Sequence, residues 1–283
     1  MRWTPGGPSA DLEDERGSSG GGGGGNFGKL GIGGFLVLLV LSFVFKRDFF
    51  ALIGGGSAGG PAGQTVPRAS SPEEDKLVQF VSFVLDDDQK TWTEIFAKSG
   101  KTYRHAKLVL FTDQVRSGCG FAETAMGPFY CPADEKVYID LGFYRELRDR
   151  FGAPGEFAEA YVIAHELGHH VQKLLGISDQ VGNLQQQRPG SANKLSVNLE
   201  LQADCLAGVW GHTAAQRNLL NPGELDDGLR AAAAVGDDRI QKQATGRVNP
   251  ETWTHGSSEQ RAQWFRTGFD SGDMGRCDTF NSR

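Results

Sequence analysis

Two histidines four residues apart, with a glutamate after the first, stand in Ala164-His165-Glu166-Leu167-Gly168-His169-His170. Positions i and i+4 share one face of a helix, so His165 and His169 can grip a single metal ion. Glu166 then lies where a carboxylate can take a proton from a metal-bound water. The chemistry implied is hydrolysis, first of all of peptide bonds. His170 is turned about 100° from His169 and is expected to stay outside the coordination sphere.

A helix must carry this motif, and the flanking residues supply one. Phe157 to Ala164 has apolar residues at helical spacing behind a Pro154-Gly155 start signal, and Val171 to Leu175 continues the repeat to Gly176, a residue suited to a helix end. The expectation is a helix of about five turns. A third ligand must come from elsewhere. The metzincin pattern is excluded, because Gln172 and Leu175 occupy the places of its glycine and third histidine. Downstream, Leu199 to Trp210 carries Glu200 and Asp204 on one helix face among Leu199, Leu201, Ala203, Leu206, Ala207 and Val209. Acids in such surroundings need a partner. The alternative is a solvated acidic stripe.

Glu200 and Asp204, following the first motif at this distance, resemble the second motif of the gluzincin metallopeptidases. That resemblance implies one Zn²⁺ per chain, bound by His165, His169 and Glu200, with Asp204 accepting a hydrogen bond from a ligand histidine. A wider resemblance, to the bacterial neutral zinc metallopeptidase family, rests on strings that run in order from about residue 105 to the end. They are Ala125 to Pro132, Lys136 to Asp140, His165 to His170, Glu200 to Asp204, Gly236 to Arg239, Thr254 to Gly256 and Cys277 to Phe280. It implies an α+β, mostly helical, gluzincin-like domain with a small sheet and an N-terminal membrane segment. By the same resemblance His255 is a candidate for stabilising the oxyanion, with Arg261 supporting it; the alternative for His255 is a helix-cap residue bonded to a loop carbonyl. Lys136 to Asp140 holds the place of the gluzincin edge strand that pairs with substrate, unless it is internal to the sheet.

The rest of the chain divides by composition. Of 283 residues, 39% are hydrophobic, enough for one sizeable domain and an appendage, and the net charge of -6 argues against a nucleic-acid surface. Residues 1–29, rich in Gly, Ser and acids, are expected to be disordered. Residues 30–47 contain the uncharged run from Leu30 to Phe45 between Lys29 and Lys46-Arg47, read as one transmembrane helix contacting the lipid bilayer. Residues 48–72 form a Gly, Pro and Ser linker, and residues 73–283 the zinc metallopeptidase domain. Lysine and arginine do not decide the orientation.

The four cysteines all follow the apolar run. Of three possible pairings, Cys119 with Cys131 and Cys205 with Cys277 is the most natural: one clasps a local loop, the other ties the tail to the second metal helix. Disulfides would put the domain outside the cytoplasm of a bacterial cell, as a single-pass membrane protein; four reduced buried thiols are the alternative. Within the domain, two helices are expected around Asp86-Asp87-Asp88, whose acids are read as helix caps. Short strands are expected at Lys107 to Thr112 and Lys136 to Asp140, a loop at Gly182 to Asn193, and helix from Leu219 to Gly246 interrupted near Gly236. Asp237, Asp238 and Arg239 are read as a structural network. Two other function classes remain: a membrane-anchored binding or assembly protein with an inert zinc, and a zinc hydrolase of non-peptide amides.

Overall fold

The computed structural model of the chain describes residues 1–17 and 71–281. The apolar run from Leu30 to Phe45 and the linker up to residue 70 lie outside the described residues. Among the described residues no helix is long and apolar enough to cross a membrane.

At Ser71 the sequence carries a capping box. Ser71 caps the first helix among the described residues, α1 (Pro72–Lys98), and Glu74 returns the bond to the Ser71 backbone. One continuous helix runs through Asp86-Asp87-Asp88 rather than two around it. No Gly or Pro interrupts this stretch, and Asp87 is drawn inward as acceptor for the Trp210 indole N–H at 2.9 Å and for Arg217 at 2.7 Å. Asp86, bonded by Ser9, and Asp87 are therefore tertiary partners, not caps.

Residues 1–17, expected to be disordered, are folded onto the domain. Leu12–Asp14 forms β1, parallel to β2 (Lys107–Phe111) with Leu12 opposite Leu108. Two of the acids that suggested solvation have distant partners, Asp11 meeting Lys107 and His105 and Glu13 meeting Lys136; Asp14 pairs locally with Arg16, and Ser9 bonds Asp86. Trp3 lies against Phe80 and Phe83 of α1. Composition could not reveal partners about a hundred residues away.

The main sheet has the order β1-β2-β6-β5, with β6 (Lys136–Asp140) parallel to β2 and β5 (Phe129–Cys131) antiparallel to β6. So β6 is internal, and the edge strands among the described residues are β1 and β5. Side chains of β2 alternate: Leu108 and Leu110 join the helical core, while Val109 and Phe111 join Val115, Cys131 and Tyr138. The latter cluster underlies the hairpin of β3 (Gln114–Ser117) and β4 (Gly120–Glu123), which the Cys119–Cys131 disulfide clasps to β5. A short helix, α2 (Gly142–Asp149), follows the sheet.

The metal-motif helix, α3 (Glu156–Leu174), is buried along almost its whole length. Its first half packs in the main core with Phe80, Ile139, Trp210 and Phe265; further along, Val171 belongs to a second core with Trp92, Phe96, Cys205 and Cys277. As expected, it is about five turns long and followed by Gly176 at φ 76°. The segment expected as a loop, Gly182 to Asn193, is instead helical: its first half closes α4 (Ile177–Gln187), whose Gln185 bonds Ala192 O and Ser196, and a 3-10 turn at Pro189–Ser191 leads into the next helix. Its polarity reflects an outward face. Then come α5 (Ala192–Gln216), α6 (Glu224–Ala234), α7 (Asp237–Thr245) and α8 (Ser258–Ser271). The interruption expected near Gly236 falls between α6 and α7. The Cys205–Cys277 disulfide ties the tail to α5, so both expected pairings are present.

Glycines decide how closely the site-bearing helices approach. A Cβ on Gly268 would meet Cys205 O at 1.8 Å, one on Gly208 would meet Phe265 O at 2.1 Å, and one on Gly168 would meet Ala203 O at 3.0 Å. Helices α3, α5 and α8 are thus in near backbone contact. Gly268→Ala is expected to cost about 3 kcal/mol, a melting-temperature loss of about 6–12 °C. Thermal unfolding that leaves the melting temperature unchanged would show that α5 and α8 do not touch in this way.

Candidate metal centre

Helix α3 presents His165 and His169 on the face that Gly168 brings against Ala203 of α5, and Glu200 lies one turn earlier on α5. Glu200 Oε2 is 3.2 Å from His165 Nε2, and its Oε1 is 3.4 Å from His169 Nε2. The three potential ligand atoms all lie within 4.8 Å of one another. Bonds of about 2.0–2.1 Å at tetrahedral angles separate neighbouring ligands by about 3.4 Å. The donor set therefore fits zinc in both chemistry and spacing.

Both imidazoles are held by their other nitrogen. His165 Nδ1 is 2.9 Å from Asp204 Oδ1, and His169 Nδ1 is 2.8 Å from Gln172 Oε1. An N–H donated at each Nδ1 leaves each Nε2 lone pair facing Glu200. Asp204 in turn accepts from Arg261 Nε at 2.8 Å, from Arg261 Nη2 at 2.9 Å and from the Tyr161 hydroxyl at 2.5 Å. Gln172 donates to Leu199 O and to Gln202, and Gln202 donates to Cys277 O. The C-terminal disulfide is thereby connected to a metal-site histidine through two amides.

Electrostatics favour positive charge at the junction. Burial disfavours the protonated form of His165, but Asp204 and Glu200 outweigh it and lift the pKa to about 10. Burial would raise Glu200, yet the two histidines hold its carboxyl well below the usual range. Glu166 is buried beside them, and burial pushes its pKa up while His165 and His169 pull it back.

His170 stays outside the cluster, as expected: its Nε2 bonds Arg104 O at 2.7 Å, and its Nδ1 meets the Tyr130 hydroxyl of β5 at 2.9 Å. His255 is half exposed, and Gly256 packs on Val197 and Leu201, which flank Glu200 on α5. Asp237 accepts the backbone N–H groups of Thr254, His255 and Gly256 and lies 3.2 Å from His255 Nδ1. Asp237, read as merely structural, is therefore the group that orients His255. Arg261, expected to support His255, instead holds Asp204, Tyr161 and Val235 O. Asp238 does serve structure, accepting from the Ser258 backbone and hydroxyl.

A model of the family described as "Putative neutral zinc metallopeptidase" matches residues 1–280. The chain belongs to this family. It is 49% identical to the uncharacterized protein YpfJ of Escherichia coli strain K12, over 99% of both chains. It is also 49% identical to the uncharacterized proteins Mb2605 of Mycobacterium bovis and Rv2575 of Mycobacterium tuberculosis, over 64% of each chain. No solved structure matches. The family implies zinc and a hydrolase, which agrees with the donor set.

Three contributors escaped the sequence reading: Gln172, Tyr161 and Asp237. The first two had a signal, since Gln172 is three residues after His169 and Tyr161 four before His165, both on the metal face. Asp204→Asn is expected to weaken zinc binding about 10–100-fold. It also strips Arg261 of its buried counter-ion, at about 3–5 kcal/mol of stability. Adding Arg261→Met should recover stability but not affinity. Chelator competition and thermal unfolding separate the two effects, and full zinc affinity in Asp204→Asn would remove Asp204 from the site.

Proposed function

We propose that the chain is a zinc-dependent endopeptidase that hydrolyses peptide bonds with Glu166 as general base. The observation carrying this reading is the convergence of His165, His169 and Glu200 at tetrahedral ligand spacing with Glu166 buried beside them. Zinc held by His165, His169 and Glu200 would supply a Lewis acid for the scissile carbonyl and would lower the pKa of a water at the site toward about 7. Glu166 accepts the proton of the attacking water and delivers it to the departing amine. Its burial supports this, because a carboxyl with a raised pKa is the stronger base. His255, oriented by Asp237, donates toward the developing oxyanion.

The substrate is a peptide or protein segment in extended form. The edge of β5, unpaired among the described residues, lies on the α3 side of the sheet, with Tyr130 bonded to His170 beside the motif. We assign substrate backbone pairing to β5 rather than β6, whose two edges are already occupied. The gluzincin class is supported by the ligand set and by the Asp237-oriented His255. Two disulfides support an oxidising, extracytoplasmic compartment of a bacterial cell, and the Leu30 to Phe45 run supports attachment to the bilayer.

Wild-type chain is expected to bind one zinc and to cleave an unstructured protein in a chelator-sensitive way. Glu166→Gln should keep the zinc and lose cleavage, and His255→Ala should lower kcat about 10²–10³-fold with little change in KM. A fully active Glu166→Gln would remove the mechanism. Zinc-loaded wild type that cleaves no peptide in a diverse pool would instead favour a binding role or a non-peptide amide.

A further inference from the structure

The folded strap of residues 1–17 and the metal-bearing domain lie on opposite sides, in sequence, of the apolar run from Leu30 to Phe45. In space they are one body. Strand β1 completes the edge of β2, with Leu108 N donating to Asp11 O and Glu15 N donating to Leu110 O, both at 2.8 Å. The Met1 amino group is buried between Glu156 of α3 and Glu224 of α6. Trp3 packs on Phe80 and Phe83. A membrane placed between strap and domain would break all of these at once.

The two ends of the intervening stretch also sit together. Arg16, just before it, lines the same cavity as Ser71 and Glu73, just after it. A chain that leaves and returns at one spot crosses a membrane an even number of times or not at all. A second helical crossing needs about 20 apolar residues, and after Arg47 the sequence offers only Phe49-Phe50-Ala51-Leu52-Ile53 before its glycines.

We propose that residues 1–17 and the metal-bearing domain occupy the same compartment, so that no membrane separates them. This revises the single-pass topology expected from hydropathy. It does not depend on the metal chemistry. A strap donated by a second copy of the chain obeys the same constraint.

The test uses full-length chain in intact bacterial cells. All four native cysteines are paired, so an introduced thiol reports alone. Gly6 and Gly7 in the strap and Gly190 in the domain have open space where a side chain would stand. Gly6→Cys and Gly190→Cys, treated with a membrane-impermeant maleimide before and after permeabilisation, should behave alike: both labelled in intact cells, or both protected until the membrane is opened. Gly7→Cys repeats the reading independently. Labelling of one site with protection of the other overturns the proposal. Trp3→Ala in purified full-length chain should lower the melting temperature by about 4–8 °C. An unchanged melting temperature would equally overturn it, since the strap would then not be part of the domain.

Discussion

Arg261 and Asp204 meet in the interior, where the Asp204 side chain has no exposed surface and Arg261 keeps about 4%. Such a pair is costly to desolvate and holds only with good geometry and every remaining donor and acceptor used. Here the fork of the guanidinium takes both carboxylate oxygens, its third nitrogen reaches Val235 O, and Tyr161 and His165 complete Asp204. Those partners come from α3, α5, α8 and the end of α6. Their relative rotation is fixed by one carboxylate. Because Asp204 is one turn beyond Glu200 on α5, the same contact that secures the helices sets the distance from Glu200 to the histidines.

The remaining architecture keeps those helices from drifting. Glycines at 168, 208 and 268 let the backbones close up, which shortens the reach needed from each side chain. The main core grips α3 through Phe157, Tyr161 and Leu167, and the second core grips it through Val171 against the Cys205–Cys277 disulfide. Gln202 and Gln172 then carry that second anchorage to His169. The two histidines are thus braced from different sides: His165 by a charged network under α8, and His169 by neutral amides leading to the C-terminal tail.

What was readable in the sequence was whatever repeats locally. The period of α3, its ending before Gly176, the ligand spacing of His165 and His169, and the i, i+4 relation of Glu200 to Asp204 are all statements about neighbours on one helix. Both disulfide pairings followed from nearness or from the helix they serve. What failed depended on distant partners. Asp11 and Glu13 looked solvated because Lys107 and Lys136 were not visible as their counter-ions. Asp86 to Asp88 looked like a boundary because the demands of Trp210 and Arg217 on Asp87 were not visible. Strand β6 looked like an edge because β5, only three residues long, carries a weak signal. Arg261 was rightly drawn to the site but given the wrong partner, since helix spacing says nothing of which helix lies opposite.

Charge explains why this arrangement suits a divalent cation in particular. Asp204 and Arg261 cancel within their own contact. Glu200 and Glu166 are then the negative groups left around two imidazoles whose Nε2 lone pairs point inward. A dication neutralises both carboxylates, whereas a monovalent ion leaves one buried charge without an opposite. If Gln172 were an acid like Asp204, the balance would be lost unless a second guanidinium stood behind it. The neutral amide behind His169 is therefore part of the same accounting as the ion pair behind His165: one histidine can have an anionic brace because Arg261 compensates it, and the other takes an amide because no second cation among the described residues is bonded there.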